Sequence, residues 1–222
     1  GKWCLFGKSN YDKLFTNAFR AVICQKADDY PAEMFLKRRK GRDKELPRKF
    51  TFKNGLSSFL KAIIKEDNLS VHNSAEVLNI CKVDNLYKIE TKDGSKYLSR
   101  TIAIATNPQI AYTLTKDIDP AVSTLLSTIP IFSSESLNIT ISKEKLSIKD
   151  IAGIISLSDE FMSAVSRDLV NDNELRSFTF HFEKGKKSEQ EKIDLICKVL
   201  SISQSDILEI VSADHTLASA RM

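Results

Sequence analysis

The sequence predicts an α+β fold in which an antiparallel sheet is backed by helices and is joined to part of an α/β region. Apolar and polar residues alternate through Ser136–Ser142 and Arg176–Phe182, which is typical of strands with one buried face. Asp93 and Gly94 separate two further alternating runs, and this dipeptide favours a hairpin turn. Ser188–Leu200 carries apolar residues at helical spacing, so we expect a helix that covers the sheet. With 222 residues and 42% hydrophobic content, the chain can bury such a core.

Two helices are predicted in the first 50 residues. The stretch Tyr11–Gln25 places six apolar residues at helical intervals: Leu14, Phe15, Ala18, Phe19, Val22 and Ile23. Pro31 favours the first position of a second helix over Ala32–Lys40. We interpret the apolar face of the first helix as packed core, and a wall of a substrate site is the alternative.

A strand, a turn and a helix are predicted next. Phe50 and Phe52 alternate with polar residues, which indicates a half-buried strand. Gly55 permits backbone dihedrals that other residues avoid, so the turn either lets the backbone approach a ligand or simply joins two elements. A helix over Ser57–Lys65 follows, and we expect its apolar stripe to be buried. The stripe consists of Leu56, Phe59, Leu60, Ile63 and Ile64.

The segment from Leu69 to Ala105 predicts a small sheet that leads into a buried strand. Short strands are expected over Leu69–His72 and Glu76–Lys82, followed by the hairpin pair Tyr87–Thr91 and Lys96–Leu98. Thr101–Ala105 is apolar and β-branched without polar alternation, as in a parallel strand that is covered on both faces.

The last part of the chain, from residue 109, predicts helices and the larger antiparallel sheet. Short helices are expected over Ile110–Thr115 and Pro120–Thr128. Besides the two long strands already named, Ile151–Ser156 and Leu208–Val211 predict further strands.

The net charge of +4 comes mainly from one basic run, Lys37–Lys44, which continues through Arg48 and Lys49. Clustered cations attract polyanions. No aromatic residues are interleaved to stack bases, so we predict no nucleic-acid partner and favour a solvated loop. Peripheral membrane contact is the functional alternative for this run.

Cysteine, histidine and hydropathy patterns exclude several classes of protein. Four cysteines lie far apart without CxxC or zinc-ligand spacing, which favours reduced thiols in a cytoplasmic protein and predicts no metal site. No apolar run reaches 18 residues, so no spanning helix is expected. His72, His181 and His215 lack partners at recognisable catalytic spacing, and we assign them to structure or surface.

Three of these segments together resemble the flavin amine oxidase superfamily, most closely its protoporphyrinogen oxidase branch. Phe50–Leu56 is similar to the family's FxFxGGL segment, with Asn54 in place of the first glycine. Val77 lies in the strand that meets the flavin adenine in the family. Ile102–Pro108 is similar to the closing segment vilATPP, with Asn107 in place of the first proline.

The resemblance implies FAD as cofactor and a small, apolar, amine or porphyrinogen-like substrate that loses hydride to the flavin. It places Val77 at the adenine, and Ala105, Thr106 and Pro108 in the turn on the cofactor side. No catalytic residue is assigned. Lys143 corresponds in position to a lysine that holds water near the flavin in amine oxidases, but a surface lysine at a strand end is favoured.

The resemblance also implies a division of the chain. Residues 51–108 are expected to be part of an FAD-binding domain, whereas residues 1–50 and 109–222 belong to a substrate domain. The glycine-rich GxGxxG turn that cradles a dinucleotide is missing from the 222 residues. We therefore expect an internal piece of a longer enzyme, inactive alone and unable to hold FAD tightly. A non-catalytic binding module that uses the basic loop or the aromatic helices is the alternative, and nothing in the sequence specifies an oligomeric state.

Overall fold

The chain forms two compact units, which we call the sheet unit and the hairpin unit. A computed structural model describes residues 7–23, 28, 45, 52, 54–148, 151–158, 160–166 and 172–218. The sheet unit combines Gly1–Lys53 with Ile131–Met222, and the hairpin unit is Asn54–Pro130. The predicted assignment of such parts to an FAD-binding and a substrate domain stays a prediction.

Helix α1 opens the described part of the sheet unit. It runs without interruption through Lys8–Asn10, the π-helical turn Tyr11–Phe15 and Thr16–Ile23. Of the predicted apolar face, Phe19 is buried and Phe15 and Ala18 are half-buried, but Leu14 is 55% exposed. Tyr11, which lies outside the predicted set, is buried as well.

The hairpin unit contains three helices and a three-stranded antiparallel sheet. Helix α2 (Ser57–Glu66) comes first, and the strands β1 (Val77–Val83), β2 (Leu86–Thr91) and β3 (Lys96–Ser99) follow in the order β1-β2-β3. Helices α3 (Pro108–Thr115) and α4 (Pro120–Ser127) close the unit, and each begins with proline at its first position.

The predicted hairpin between β2 and β3 is confirmed. Gly94 has a positive φ of 86°, and its amide donates to the Thr91 carbonyl over 2.9 Å. The Asp93 carboxylate accepts bonds from the Thr91 hydroxyl at 2.6 Å and the Ser95 amide at 3.0 Å. These bonds, that from Thr91 foremost, lower the pKa of Asp93.

The sheet unit is built on five antiparallel strands. They are β4 (Ile131–Ser142), β5 (Gly153–Ile155), β6 (Ser163–Ser166), β7 (Leu175–Glu183) and β8 (Ile207–Ala218), in the order β5-β6-β7-β4-β8. Helix α5 (Glu189–Leu200) lies between β7 and β8 in the chain. The predicted α+β class is thus confirmed.

One face of this sheet forms the hydrophobic core with α5. Leu137 lies opposite Phe180, and Ile139 lies opposite Phe178, so their side chains share a face. The fully buried residues include Ile196 of α5. A capping box at Ser188 fixes the start of α5. The Ser188 hydroxyl accepts a hydrogen bond from the Glu191 amide, and the Glu191 carboxylate accepts one from the Ser188 amide.

Three predictions in the hairpin unit are wrong. Thr101–Ala105 is not a strand covered on both faces: Ala103 and Ala105 are exposed, since no described segment lies beside them as a neighbouring strand. Leu69–His72 is not a strand either: its residues are exposed, and they do not pair with another strand. The stripe of α2 is not buried: Leu56, Phe59 and Leu60 are exposed, whereas Ile63 and Ile64 are half-buried.

The strands of the sheet unit differ from prediction in length and number. Strands β4 and β8 have 12 residues each and are longer than the predicted strands Ser136–Ser142 and Leu208–Val211. The short strand β6 was not predicted, because Ser163–Ser166 is too brief and too small in its side chains to stand out. The predicted helix after Pro31, the strand from Phe50 and the basic run Lys37–Lys44 lie outside the described residues, apart from Phe52.

Candidate functional site

The turn before α2 has a backbone conformation that favours glycine at position 55. Gly55 has a φ of 77°, and a side chain added there would meet no atom within 4 Å. The Gly55 carbonyl accepts from the Ser58 amide at 3.2 Å and the Ser58 hydroxyl at 2.6 Å, which starts the helix. Asn54, which stands where the resembling family has glycine, is exposed, so its side chain extends into solvent.

Val77 stands at an irregular strand start. It pairs with Thr91, but Asn79 already pairs with Glu90, so Leu78 is the extra residue of a β-bulge. A bulge interrupts the ladder of hydrogen bonds and redirects side chains, and bulges are over-represented beside active sites. Val77 itself is half-buried, which leaves its outer side accessible.

The turn Ala105–Pro108 leads into a capped helix. The Asn107 side-chain oxygen accepts the Ile110 amide over 3.0 Å, and Pro108 occupies the first helical position of α3. Asparagine here therefore replaces the family's proline with an N-cap, which stabilises the helix start. Ala105 and Thr106 are exposed, and the Thr106 hydroxyl donates to the Asn107 carbonyl at 3.3 Å.

The two predicted cofactor positions belong to elements that pack together. Helix α3, which begins at Pro108, packs against β1, which begins at Val77. Neither position is enclosed in the interior of the hairpin unit, because Val77 is half-buried and Thr106 is exposed. Both are thus accessible to a ligand on the surface of this unit, although a role in binding FAD stays a prediction for each.

The sheet of the other unit has a polar face on which side chains from separate strands contact one another. Ser136 and His215 lie 79 residues apart, yet Ser136 Oγ and His215 Nε2 form a 2.7 Å hydrogen bond. The His181 ring centroid is 6.5 Å from that of His215. The Asn138 amide donates to the Thr179 hydroxyl over 2.9 Å. The period-2 alternation identifies this face, but partners on separate strands emerge only from the register.

A buried ion pair lies on the opposite, α5 side of the sheet. Lys192 Nζ contacts a Glu135 carboxylate oxygen, and the second Glu135 oxygen accepts the Gly185 amide over 3.1 Å. The side chains of Lys192 and Glu135 are only 9% and 16% exposed. A cavity of about 330 Å³ adjoins the pair and is also lined by Glu189 and Asp214. The charges of the pair are compensated, which is what burial requires.

Lys143 and His72 have structural contacts. Lys143 follows the last residue of β4, and its Nζ donates to the Asp172 carbonyl at 3.4 Å. The His72 ring lies 5.5 Å from the Tyr97 ring at a tilt of 60°. These positions agree with the favoured interpretation of both residues.

Two cysteines of the described residues, Cys81 and Cys197, carry free thiols. Cys81 and Cys197 are free and half-buried, and burial raises the pKa of the Cys197 thiol. Within the described residues, no group of three His, Cys, Asp or Glu side chains has the geometry to hold a metal ion. In the same part of the chain, no helix combines the length and the apolar character needed to cross a bilayer.

Comparison with known proteins identifies the fold through solved structures. No family model and no curated protein sequence matches the chain. A protoporphyrinogen oxidase-like protein of Exiguobacterium sp. 255-15 matches 96% of this chain and 48% of its own, with 14% identity and a TM-score of 0.57. Cyclohexylamine oxidase of Brevibacterium oxydans matches 72% of this chain and 38% of its own, with 13% identity and a TM-score of 0.56.

A fatty acid isomerase of P. acnes that produces CLA also matches. It aligns with 75% of this chain and 40% of its own, with 13% identity and a TM-score of 0.53. The chain therefore spans less than half the length of each of these three structures. The predicted resemblance to the flavin amine oxidase and protoporphyrinogen oxidase superfamily is confirmed at the level of fold.

Proposed function

We propose that this chain is the central part of an FAD-dependent oxidoreductase that takes hydride from an apolar, amine or porphyrinogen-like small molecule. The fold shared with the matched oxidases supports the proposal. One observation carries it: the strand that begins at Val77 packs against the helix that follows the turn at Thr106, and Val77 is half-buried while Thr106 is exposed. We assign the activity to a longer polypeptide and expect the chain alone to be inactive.

The residues present fit a nucleotide at one side of the hairpin unit. The bulge at Leu78 interrupts strand pairing next to Val77, so a flat ring could approach the backbone there. The Thr106 hydroxyl is exposed and supplies a hydrogen-bonding group. When bound, the flavin supplies the hydride acceptor, and the chain's share is to orient it and exclude water. Val77, Ala105, Thr106 and Pro108 would hold it.

We assign substrate contact to the sheet unit. One face of its sheet is filled by α5, and on the opposite face Ser136 and Thr179 are buried, so the half-buried Asn138 is the polar side chain of this set that a ligand could contact. Hydroxyl and amide groups can orient a polar group of an otherwise apolar molecule. The matched structures include a cyclohexylamine oxidase and a fatty acid isomerase, so both amines and apolar acids are candidate substrates.

The absorption spectrum of the protein encoded by the whole natural reading frame tests the proposal. We expect the visible bands of oxidised flavin. Val77→Asp places a charge at the adenine position and should lower FAD affinity at least about tenfold, equivalent to about 1.4 kcal/mol. Val83→Asp, at an exposed position of the same strand, is the matched control and should leave FAD affinity unchanged. A colourless protein that FAD does not reconstitute would overturn the proposal and favour the non-catalytic module.

We place the protein in the cytoplasm, because the free thiols of Cys81 and Cys197 fit a reducing compartment. Peripheral membrane contact through the basic run Lys37–Lys44 is part of the proposal. Co-sedimentation with anionic vesicles tests it, since binding should fall steeply with added salt. Salt-independent binding, or none, would contradict it.

A further inference from the structure

Two histidines of the sheet unit converge over the polar face of its sheet. His181 of β7 lies opposite Ser136 of β4, and His215 of β8 lies opposite Ser134 of β4. Because β4 separates β7 from β8, the backbones of these two strands are roughly 10 Å apart. The two ring centroids are nevertheless only 6.5 Å apart. Both side chains therefore lean towards each other above β4, and both are half-buried, so a ligand can reach them.

The hydrogen bond between His215 and Ser136 favours an anionic ligand. His215 Nε2 lies 2.7 Å from Ser136 Oγ, and Ser136 is buried. A protonated imidazole donates at both ring nitrogens, so Nδ1 can bind a ligand while Ser136 accepts from Nε2. A carboxylate suits two converging rings of this kind, because hydrogen bonds between charged partners are about twice as strong as neutral ones.

The charges beside His181 also favour an anion. Glu183 lies two residues further along β7 on the same face of the sheet. Its carboxylate pairs with Arg20 of α1 at 3.3 Å and with Lys186 at 2.9 Å. Two cations thus face one carboxylate at this end of the site, which leaves a local excess of positive charge.

Apolar side chains lie near the histidines on the same face. Alternate residues of β8 face the same way as His215, and among them Val211 and Leu217 are 51% and 41% exposed. Helix α1 borders this face at β6, because the Ser163 hydroxyl donates to the Ala21 carbonyl over 3.2 Å. A ligand can thus place a polar head at the two rings and an apolar tail along β8.

We infer that His181 and His215 bind a carboxylate, and that the substrate of the proposed enzyme is an apolar acid rather than an amine. The choice of substrate rests on the proposed function. The binding of a carboxylate to the two histidines does not require that the protein hold a flavin.

Other ligands fit the histidine pair less well. An ammonium group would need a carboxylate beside the rings. Asp214 is next to His215 in the chain, but it lies on the α5 face and pairs with Lys184 at 2.7 Å. A metal ion would have two imidazoles, and no described group of three His, Cys, Asp or Glu side chains could complete its coordination.

Isothermal titration calorimetry of the 222-residue chain with octanoate and octylamine tests the inference. We expect octanoate to bind at least about tenfold more tightly than octylamine, since the two differ in the charge of the head group. His181→Gln and His215→Gln should each weaken octanoate binding at least about tenfold, because glutamine keeps a donor but carries no charge. His72→Gln in the hairpin unit is the matched control and should leave octanoate binding unchanged.

Nuclear magnetic resonance of the histidine rings locates the bound octanoate in the wild-type protein. We expect the ring signals of His181 and His215 to shift on titration, whereas those of His72 should not. This measurement decides if the glutamine variants fail to fold. Equal affinity for octanoate and octylamine, equal shifts at all three histidines, or zinc binding to the pair without octanoate binding would each overturn the inference.

The protein encoded by the whole natural reading frame separates this inference from the proposed function. A whole protein that contains flavin but binds octylamine more tightly than octanoate would overturn the inference and leave the proposed function standing. A colourless whole protein whose histidine pair binds octanoate would overturn the proposed function and leave the carboxylate site standing.

Discussion

The sheet unit and the hairpin unit contain similar apolar patterns with opposite outcomes. In the sheet unit, Phe178 and Phe180 are fully buried, and α5 covers them with Ile196 and Leu200. In the hairpin unit, Leu56 and Leu60 of an equally regular stripe are exposed. The sheet unit contains both layers of its core, whereas no residue of helix α2 in the hairpin unit is fully buried. An amphipathic pattern thus identifies the apolar face of a helix or strand, but it does not show which residues pack against that face.

Truncation of one phenylalanine in each unit gives the largest contrast. Phe180 packs against Phe161 and Phe182, so Phe180→Ala should lower the free energy of unfolding by about 3–5 kcal/mol. Phe59→Ala removes a side chain that is half in water, and we expect a loss below about 1 kcal/mol in the 222-residue chain. Urea denaturation followed by circular dichroism measures both. Equal losses would show that the α2 stripe is covered after all.

The buried Lys192–Glu135 ion pair should contribute more to stability than an exposed ion pair of the hairpin unit. Lys192→Met leaves the Glu135 carboxylate in a nearly dry environment, and we expect a loss of about 3 kcal/mol in unfolding free energy. The Lys92–Glu76 pair in the hairpin unit is exposed to solvent, so Lys92→Met should leave the free energy of unfolding nearly unchanged. Addition of Glu135→Gln to Lys192→Met should recover part of the loss. No recovery would mean that Lys192 acts through packing alone.

Helix caps should have nearly equal effects in the two units, because a cap acts locally. Asn107→Ala removes the acceptor for the Ile110 amide, and Ser188→Ala removes the acceptor for the Glu191 amide. We expect each to cost about 1 kcal/mol by thermal denaturation. An Asn107→Pro variant restores the family's residue and should also lose the cap. Stability unchanged by Asn107→Ala would show that water replaces the cap without loss.

The smallest effect is a pH dependence in the sheet unit. Burial, together with the hydrogen bond to Asp28, raises the pKa of Tyr11 from 10.0 to about 12. Because the folded pKa is the higher, the stabilisation from Tyr11 is present below pH 10 and is lost as the pH rises towards 12. Spectrophotometric titration of the wild-type protein should show a phenol that ionises late and is missing in Tyr11→Phe. Identical titration curves for the two proteins would contradict the burial of Tyr11.

Much of the secondary structure was predictable because its signals are local. The prediction for α4 began at Pro120, as the helix does, and Asp93–Gly94 indicated the hairpin, whereas α3 was predicted from Ile110 and begins at Pro108. The Thr101–Ala105 segment failed as a strand because a strand is defined by its neighbours, and the described chain contains none there. The apolar composition predicted burial on both faces, whereas Ala103 and Ala105 are exposed.

The candidate site was predictable only in part. The resemblance pointed to Val77 and Thr106, but it gave no sign of the bulge beside Val77, which depends on cross-strand register. It also presented Asn107 as a mere departure from the family, whereas the structure shows it as a helix cap. The Ser136–His215 contact joins residues 79 positions apart, and no local pattern could bring them together.

Amide exchange within the 222-residue chain tests the central claim most directly, since it compares the two units in one sample. We predict that the amides of residues 102–105 exchange near the rate of an unstructured peptide, while those of residues 137–141 in β4 are slower by at least about a thousandfold. Comparable protection at both places would contradict the account, because residues 102–105 would then already have partner strands within this chain.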